Sequence, residues 1–430
     1  MKITEIETFA VGTGWKNWLF VKVHTDKGIH GIGEGTLNGF IKTTEAGVHE
    51  LKHLAIGQDP RRINVLAKRL LDSVSLDGGH IHRTVIAAIE VACWDILGKS
   101  LCVPIHQLLG GQVRDSVLGY ANGWYRTERT PEAFLEAAKA VLAKGFKAFK
   151  LDPFGTAQGF ISREELDLSY AICRMLRDSL PTDTLILIDV HARFTEIAAL
   201  QAAQKFSDLD IYWWEEPTSR DRQETVHEVA HRSPIPVATG EMYDTVGQFY
   251  TLAAGGVNIF QPEPMSLGGI GPSMQVANLA LAHGSHIAPH QSGGPVATAV
   301  CLQLAAAVPN FLIQEHFDAF NDPWTRDLVT WHPTVNPHNG HLSLPDAPGL
   351  GIDLNIDAIK DHPYDPDAYL NVHAEGWEKR LGRRERPAGR KPDQALSRST
   401  ISKPRLVMVG TLVSPPSLAS NCRTARRPIS

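Results

Sequence analysis

Three carboxylates, Asp189, Glu215 and Glu241, stand at the ends of three successive apolar runs, TLILIDVHARF, IYWWEEPT and PIPVATGEM. Runs of this kind, apolar and bounded by polar residues, read as parallel strands buried on both faces. The helical stretches EIAALQAAQKFSDL and RQETVHEVAHRS lie between them, so each acid sits one βα unit, 26 residues, past the one before. Neighbouring parallel strands carry such acids to one rim. Three oxygen ligands gathered there suit Mg²⁺, a hard ion that keeps open positions for substrate oxygens. A single acid after a barrel strand usually caps the helix that follows. Three in register point instead to a metal site.

Other strand ends carry further chemistry. Lys150 and Asp152 close KAFKLDPF. A lysine at a buried rim is a base with lowered pKa, an anchor for a carboxylate, or a salt-bridged structural residue. His191 follows Asp189 by two, so strand alternation puts it on the ligand's side, where a catalytic role is expected. His290 ends HIAPHQ and Glu263 ends VNIFQPE, so a carboxylate on the neighbouring strand can orient the imidazole and raise its basicity, as a general base requires. Glu315 ends FLIQEHF, where a protonated or proton-sharing carboxyl would donate a hydrogen bond to an enolate oxygen. Glu216 alternates to the other face as a structural acid, and Trp213 and Trp214 read as barrel packing.

The elements that must position these groups follow from the pattern. VLGYANG, KAFKLDPF, LILIDVHA, IYWWEEP, PVATGE, VNIFQPE, HIAPHQ and FLIQEHF are candidate strands, most of them separated by an amphipathic helix. Functional groups at the carboxyl ends of such strands indicate a modified (β/α)₈ TIM-type barrel, α/β in class. A doubly wound sheet would want a Gly-rich phosphate loop after its first strand, and YANGWYRTERT is not one. Residues 1–116 read as an α+β capping domain and 117–320 as the barrel. Residues 321–378 read as a segment returning to the capping domain, and 379–430 as a disordered basic tail. Two loops of the first domain, Gly12 to Asn17 and Thr36 to Thr43, are placed to cover a neighbouring site. Trp15 and Asn17 there, with Asp152, are the candidate substrate contacts.

Composition excludes other classes. With 43% hydrophobic and 21% charged residues the chain is neither disordered as a whole nor fibrous. Its net charge of -5 says little about partners, but nothing in the body of the chain suggests a nucleic-acid surface, so no nucleic-acid partner is expected. No run is long enough to span a bilayer and no signal segment opens the chain, so no membrane partner is expected. The 5 cysteines lack CxxC spacing, as for free thiols in a reducing compartment, so the expected location is cytoplasmic.

Taken in order, KLD, IDVH, WWEEPT, ATGEM, QPEPMSLGG, APH and IQEHF resemble the enolase superfamily, within its mandelate racemase-like group. The resemblance runs over about residues 1–378 and takes in AIEVACWDILGK and LPDAPGLGID. It implies Mg²⁺ on Asp189, Glu215 and Glu241 and a His-carboxylate dyad in His290 and Glu263, although the family usually has Asp at the latter. Racemases of the group carry KxK where this chain has Lys150 and Asp152. DVHARF instead resembles the galactonate dehydratase-like subgroup of acid-sugar dehydratases. The implied reaction is dehydration of an aldonate such as galactonate or gluconate to a 2-keto-3-deoxy acid, with His290 as base and His191 as acid. The implied partners are a small sugar acid and, as is frequent for such barrels, further copies of the chain in a homo-oligomer. Epimerisation with His290 and Lys150 on opposite faces and lactone cycloisomerisation are the nearest alternatives. A non-catalytic scaffold and a metal hydrolase are more distant ones, the latter wanting histidine-rich ligands.

Overall fold

The alternating start of the chain folds into an antiparallel meander of β1 (Ile3–Gly12), β2 (Asn17–Thr25) and β3 (His30–Glu34). In the computed structural model, which describes residues 1–379, α1 (Ile41–Ala55), α2 (Ile63–Leu71) and α3 (Gly79–Leu101) follow this sheet. The expected basic tail lies outside the described residues from residue 380 onward. α3 is apolar nearly all round because it is packed nearly all round. β3 approaches it so closely that a Cβ on Gly31 or Gly33 would fall 2.0 Å from a carbonyl oxygen of Ala92 or Ala88. Only glycine allows that contact.

A short α4 (Ile105–Leu108) leads into the barrel. Its strands and helices alternate as β4 (Ser116–Ala121), α5 (Pro131–Ala143), β5 (Ala148–Leu151), α6 (Arg163–Ser179), β6 (Leu185–Asp189), α7 (Glu196–Lys205) and β7 (Ile211–Glu215). They continue as α8 (Gln223–Arg232), β8 (Val237–Thr239), α9 (Val246–Ala254), β9 (Ile259–Phe260), α10 (Pro264–Leu267), α11 (Ile270–Ala282), β10 (His286–Ile287), α12 (Pro295–Ala307) and β11 (Gln314–His316). The parallel ladder runs β10-β9-β8-β7-β6-β5-β4-β11, and a parallel bridge between Ile287 and Phe311 joins its two ends. The barrel is therefore closed, as the candidate strands predict. Helix starts carry their own signals: Thr130 before Pro131, Ser162, and the Thr245–Gln248 capping box each satisfy a first-turn N–H.

The interior explains where the chemistry sits. Tyr120, Ala148, Leu187, Trp213, Ala288 and Ile313 belong to one apolar layer inside the barrel. Side chains two residues apart on a strand face the same way. The next inward positions are thus Asn122, Lys150, Asp189, Glu215, His290 and Glu315, a polar layer resting on the apolar one at the carboxyl ends of the strands.

After the barrel, β12 (His341–Ser343) adds antiparallel to β4. Leu350 N then donates to Asp95 of α3 at 2.8 Å, and after α13 (Ile356–Lys360) Pro363 bridges to Val11. No helix among the described residues is long and apolar enough to cross a membrane.

Two buried acids tie the first sheet and α3 to barrel helices. Glu34 accepts from Gly294 N at 2.6 Å and Ala297 N at 2.9 Å, capping α12. Glu90 accepts from Ile270 N and Gly271 N, both at 2.9 Å, capping α11. Burial pushes both carboxyls up to about 7, against the hydrogen bonds that favour the anion. A raised carboxyl pKa means that the folded state holds a proton the unfolded chain has released. Stability is therefore lost as pH rises from about 4.5 to about 7. Glu34→Gln combined with Glu90→Gln is expected to flatten that slope, read from urea unfolding at about pH 5 and about pH 7.5. An unchanged slope would show that other groups carry it.

Candidate active site

Asp189 and Glu215 are paired in register across β6 and β7, so their carboxylates enter the barrel mouth side by side. Glu241 joins them from beyond β8 through Gly240, whose φ of 152° and whose approach to Gln261 backbone, 2.7 Å from a would-be Cβ, exclude any side chain there. The three acids each offer an oxygen, and these lie within 4.8 Å of one another. Lys150 adds a cation at the floor. Its Nζ is 3.2 Å from Asp189, 3.0 Å from Glu315 and hydrogen-bonded to Glu215. Even so, the Glu215 carboxyl is pushed well above its ordinary range. Burial is the main cause, Lys150 offsets it only in part, and Asp189, Glu315 and Glu241 add like charge. A site so short of positive charge fits a hard divalent cation, and its all-oxygen donors match Mg²⁺.

Two histidines flank the triad. His290 Nδ1 is 2.9 Å from Glu263 Oε2 and its Nε2 is 3.3 Å from Glu241. His191 Nδ1 is 2.6 Å from Asp152 Oδ2 and its Nε2 is 3.5 Å from Asp189. Each ring is thus held from behind by a carboxylate and turned toward the acids. Burial alone would lower both imidazoles. For His290, Glu241 followed by Glu315 and Glu263 reverses this and pushes it up to about 10. For His191, Asp189 and Asp152 do the same, leaving a raised value.

Several expectations are corrected here. His191 does not reach its place by strand alternation: β6 ends at Asp189, and His191 at φ 51° and Ala192 at φ 55° form a left-handed turn, tied by His191 N donating to Asp189 at 2.9 Å. Asp152 is fully buried and accepts from His191, from Arg193 and from Phe154 N, so it holds the ring and does not meet substrate. Asn17 is not a substrate contact either. Its amide clamps the C-terminal segment, donating to Asp365 O at 2.8 Å and Ala368 O at 3.0 Å and accepting from Asp365 N at 2.8 Å. Glu315 accepts from Asn122, Lys150 and Gln291 N, and those charges and donors outweigh its burial to hold it below the usual carboxyl value. Its surroundings thus favour the carboxylate over the protonated carboxyl expected from the sequence. Lys150 stays charged, because the carboxylates around it overcome a burial that would lower it.

Trp15 does line the cavity, which measures about 300 Å³ and is walled by both the barrel mouth and the two covering loops. Other wall residues escaped the sequence reading. Lys16, Asn122 and Trp377 face it, Trp377 with its ring edge-on to His191 at 5.6 Å. Arg193 lies in the quoted DVHARF stretch, but no periodicity places its guanidinium behind Asp152.

Residues 6–110 match the mandelate racemase / muconate lactonizing enzyme N-terminal domain, and residues 133–358 match the enolase C-terminal domain-like family. A curated protein from Verminephrobacter eiseniae named D-galactonate dehydratase is 32% identical over 385 residues, 87% of this chain and 99% of that one. One from Thermoproteus tenax named D-gluconate dehydratase is 31% identical over 355 residues, 82% of this chain and 71% of that one. A solved structure described as a mandelate racemase/muconate lactonizing enzyme from a Jannaschia species shares 32% identity at a TM-score of 0.79, over 85% of this chain and 98% of that one.

Proposed function

The chain belongs to the mandelate racemase / muconate lactonizing enzyme family of the enolase superfamily, and from that footing we propose that it is a Mg²⁺-dependent hydro-lyase that dehydrates a sugar acid to its 2-keto-3-deoxy product. The observation that carries this reading is the pair of carboxylate-backed histidines, one on either side of an oxygen triad. Dehydration needs a base for the α-proton and an acid for the departing hydroxyl, and a pair of this kind supplies both. Mg²⁺ held by Asp189, Glu215 and Glu241 would supply electrostatic stabilisation of the charge that builds on the substrate carboxylate.

The chain's own groups divide the remaining work. Glu241 is the largest of the charges that raise His290, and a cation held on Glu241 would offset it and let the ring lose its proton; His290, its Nδ1 fixed by Glu263, then takes the α-proton at Nε2. His191, its Nδ1 fixed by Asp152, gives a proton from Nε2 to the departing 3-hydroxyl, since hydroxide itself is too poor a leaving group. Lys150 keeps its proton among three carboxylates and steadies the floor. It is therefore a poor second base, which counts against epimerisation through Lys150. Trp15, Phe317 and Trp377 contribute apolar wall that limits water around the reacting carbons.

A screen of aldonic and aldaric acids for 2-keto product, with and without Mg²⁺, tests the proposal. The acids named for the relatives, galactonate and gluconate, are the first to try. Formation of an epimer without keto product from every acid turned over would overturn it.

A further inference from the structure

We propose that Trp377, at the end of the C-terminal segment, is a positioning residue for His191: its ring keeps the imidazole turned into the cavity, and so serves departure of the hydroxyl and not removal of the α-proton. This rests on the dehydratase reading and deepens it. The need for such a residue follows from how His191 is held. It stands beyond the end of β6 on the left-handed turn, with Nδ1 tied to Asp152 at 2.6 Å and Nε2 3.5 Å from Asp189. A planar ring tied closely at one nitrogen still pivots about that bond. The side chain is 21% exposed, so the cavity leaves it room to swing. A swing toward Asp189 would set Nε2 against an acid of the triad and withdraw it from the substrate.

Trp377 opposes that motion. Gly376, at φ 68°, turns the chain into a single helical turn, Trp377–Lys379, whose indole is buried. Its ring lies 5.6 Å from that of His191 at an interplanar angle of 85°, the edge-to-face contact that aromatic pairs prefer. The indole is itself fixed. Tyr125 packs on it at 6.1 Å and 87°, its Nε1 donates to Gly155 O at 3.2 Å, and Lys379 pairs with Glu128 one turn on. Gly155 O also accepts from Arg193, whose guanidinium reaches Asp152 behind the His191 ring. The contacts therefore form a closed circuit: Trp377 to Gly155, Arg193, Asp152, His191 and back to Trp377. Asp152 holds the imidazole at one nitrogen, and the indole blocks the rotation that this bond leaves free.

The test measures keto product and exchange of the α-proton with solvent deuterium in full-length, Mg²⁺-loaded protein, on an acid that wild type dehydrates. Trp377→Ala is expected to lower kcat for dehydration about 10²-fold, as misplacing a group by about 1 Å does, with KM and exchange changed only a few-fold. Trp377→Phe keeps a ring without the bond to Gly155 O and should recover most of that loss. Trp377→Leu keeps apolar volume but no ring, so the comparison with Trp377→Phe survives if Trp377→Ala fails to fold. In His191→Asn protein, Trp377→Ala should cost little more, because a residue that acts through the ring then has nothing to position. Exchange lost in step with dehydration, no recovery in Trp377→Phe, or full additivity with His191→Asn would overturn the assignment. Crystal structures of wild type and Trp377→Ala keep the two proposals separable. If no acid is dehydrated but the His191 ring turns from the cavity in the variant, the dehydratase reading fails and the positioning role stands; a ring that keeps its place sinks the positioning role.

Discussion

Glu241→Gln is expected to lower kcat/KM by more than about 10²-fold and to weaken Mg²⁺ binding by at least as much, since even partners behind a metal ligand are worth 10–100-fold. The three acids crowd within 4.8 Å, and Glu241 contributes to the like charge that pushes up Glu215 and Glu216. Without metal, the variant should then unfold at the same temperature as wild type or a higher one, because one repulsive charge is gone. Adding Mg²⁺ should raise the wild-type melting temperature and leave the variant nearly unmoved, as ligand linkage requires. Activity and stability thus shift in opposite directions at one residue. A variant that bound Mg²⁺ with wild-type affinity would mean that the triad is not the metal site.

The parts of this site that were readable in the sequence are those that depend on strand periodicity. Asp189 and Glu215 end runs whose apolar members, Leu187 and Trp213, belong to the interior layer, and alternation carries the acids inward with them. The same rule reaches Lys150 and Glu315, which lie within β5 and β11, and His290 keeps the two-residue step from Ala288 although β10 ends at Ile287. It fails where the chain leaves the strand. His191 is set by two consecutive left-handed residues, a conformation its β-like surroundings give no hint of, and Glu216 at φ 41° likewise departs from simple alternation. Roles were harder than positions. Asp152 ends a strand beside the site, as a substrate contact would, but the partner that decides its role, Arg193, arrives through the same left-handed turn. Asn17 and Lys16 are neighbours in one loop; the amide turns to residues 365 and 368 and the ammonium to the cavity, a division set by contacts across more than 300 residues of sequence.

His290→Asn is expected to abolish both dehydration and the exchange of the substrate α-proton with solvent deuterium, whereas His191→Asn should lose most dehydration and keep exchange. The asymmetry follows from order of events. If His290 Nε2 takes the α-proton, nothing downstream forms without it, and the loss should reach the upper part of the about 10²- to 10⁴-fold range of acid–base catalysis. If His191 acts only on the leaving hydroxyl, its removal leaves the first proton transfer intact, and the proton can return to carbon 2 from solvent-exchanged His290. Structure makes the two rings nearly equivalent in their supports, Glu263 at 2.9 Å behind one and Asp152 at 2.6 Å behind the other. The two variants therefore differ in which side of the substrate they serve and not in how well the ring is held. Exchange measured by NMR in deuterated buffer, beside keto-product formation, separates them. Dehydration that persists in His290→Asn, with exchange undiminished, would remove the base from that side of the barrel. The reverse pattern, exchange lost in His191→Asn and kept in His290→Asn, would exchange the two roles while leaving the dehydratase reading in place.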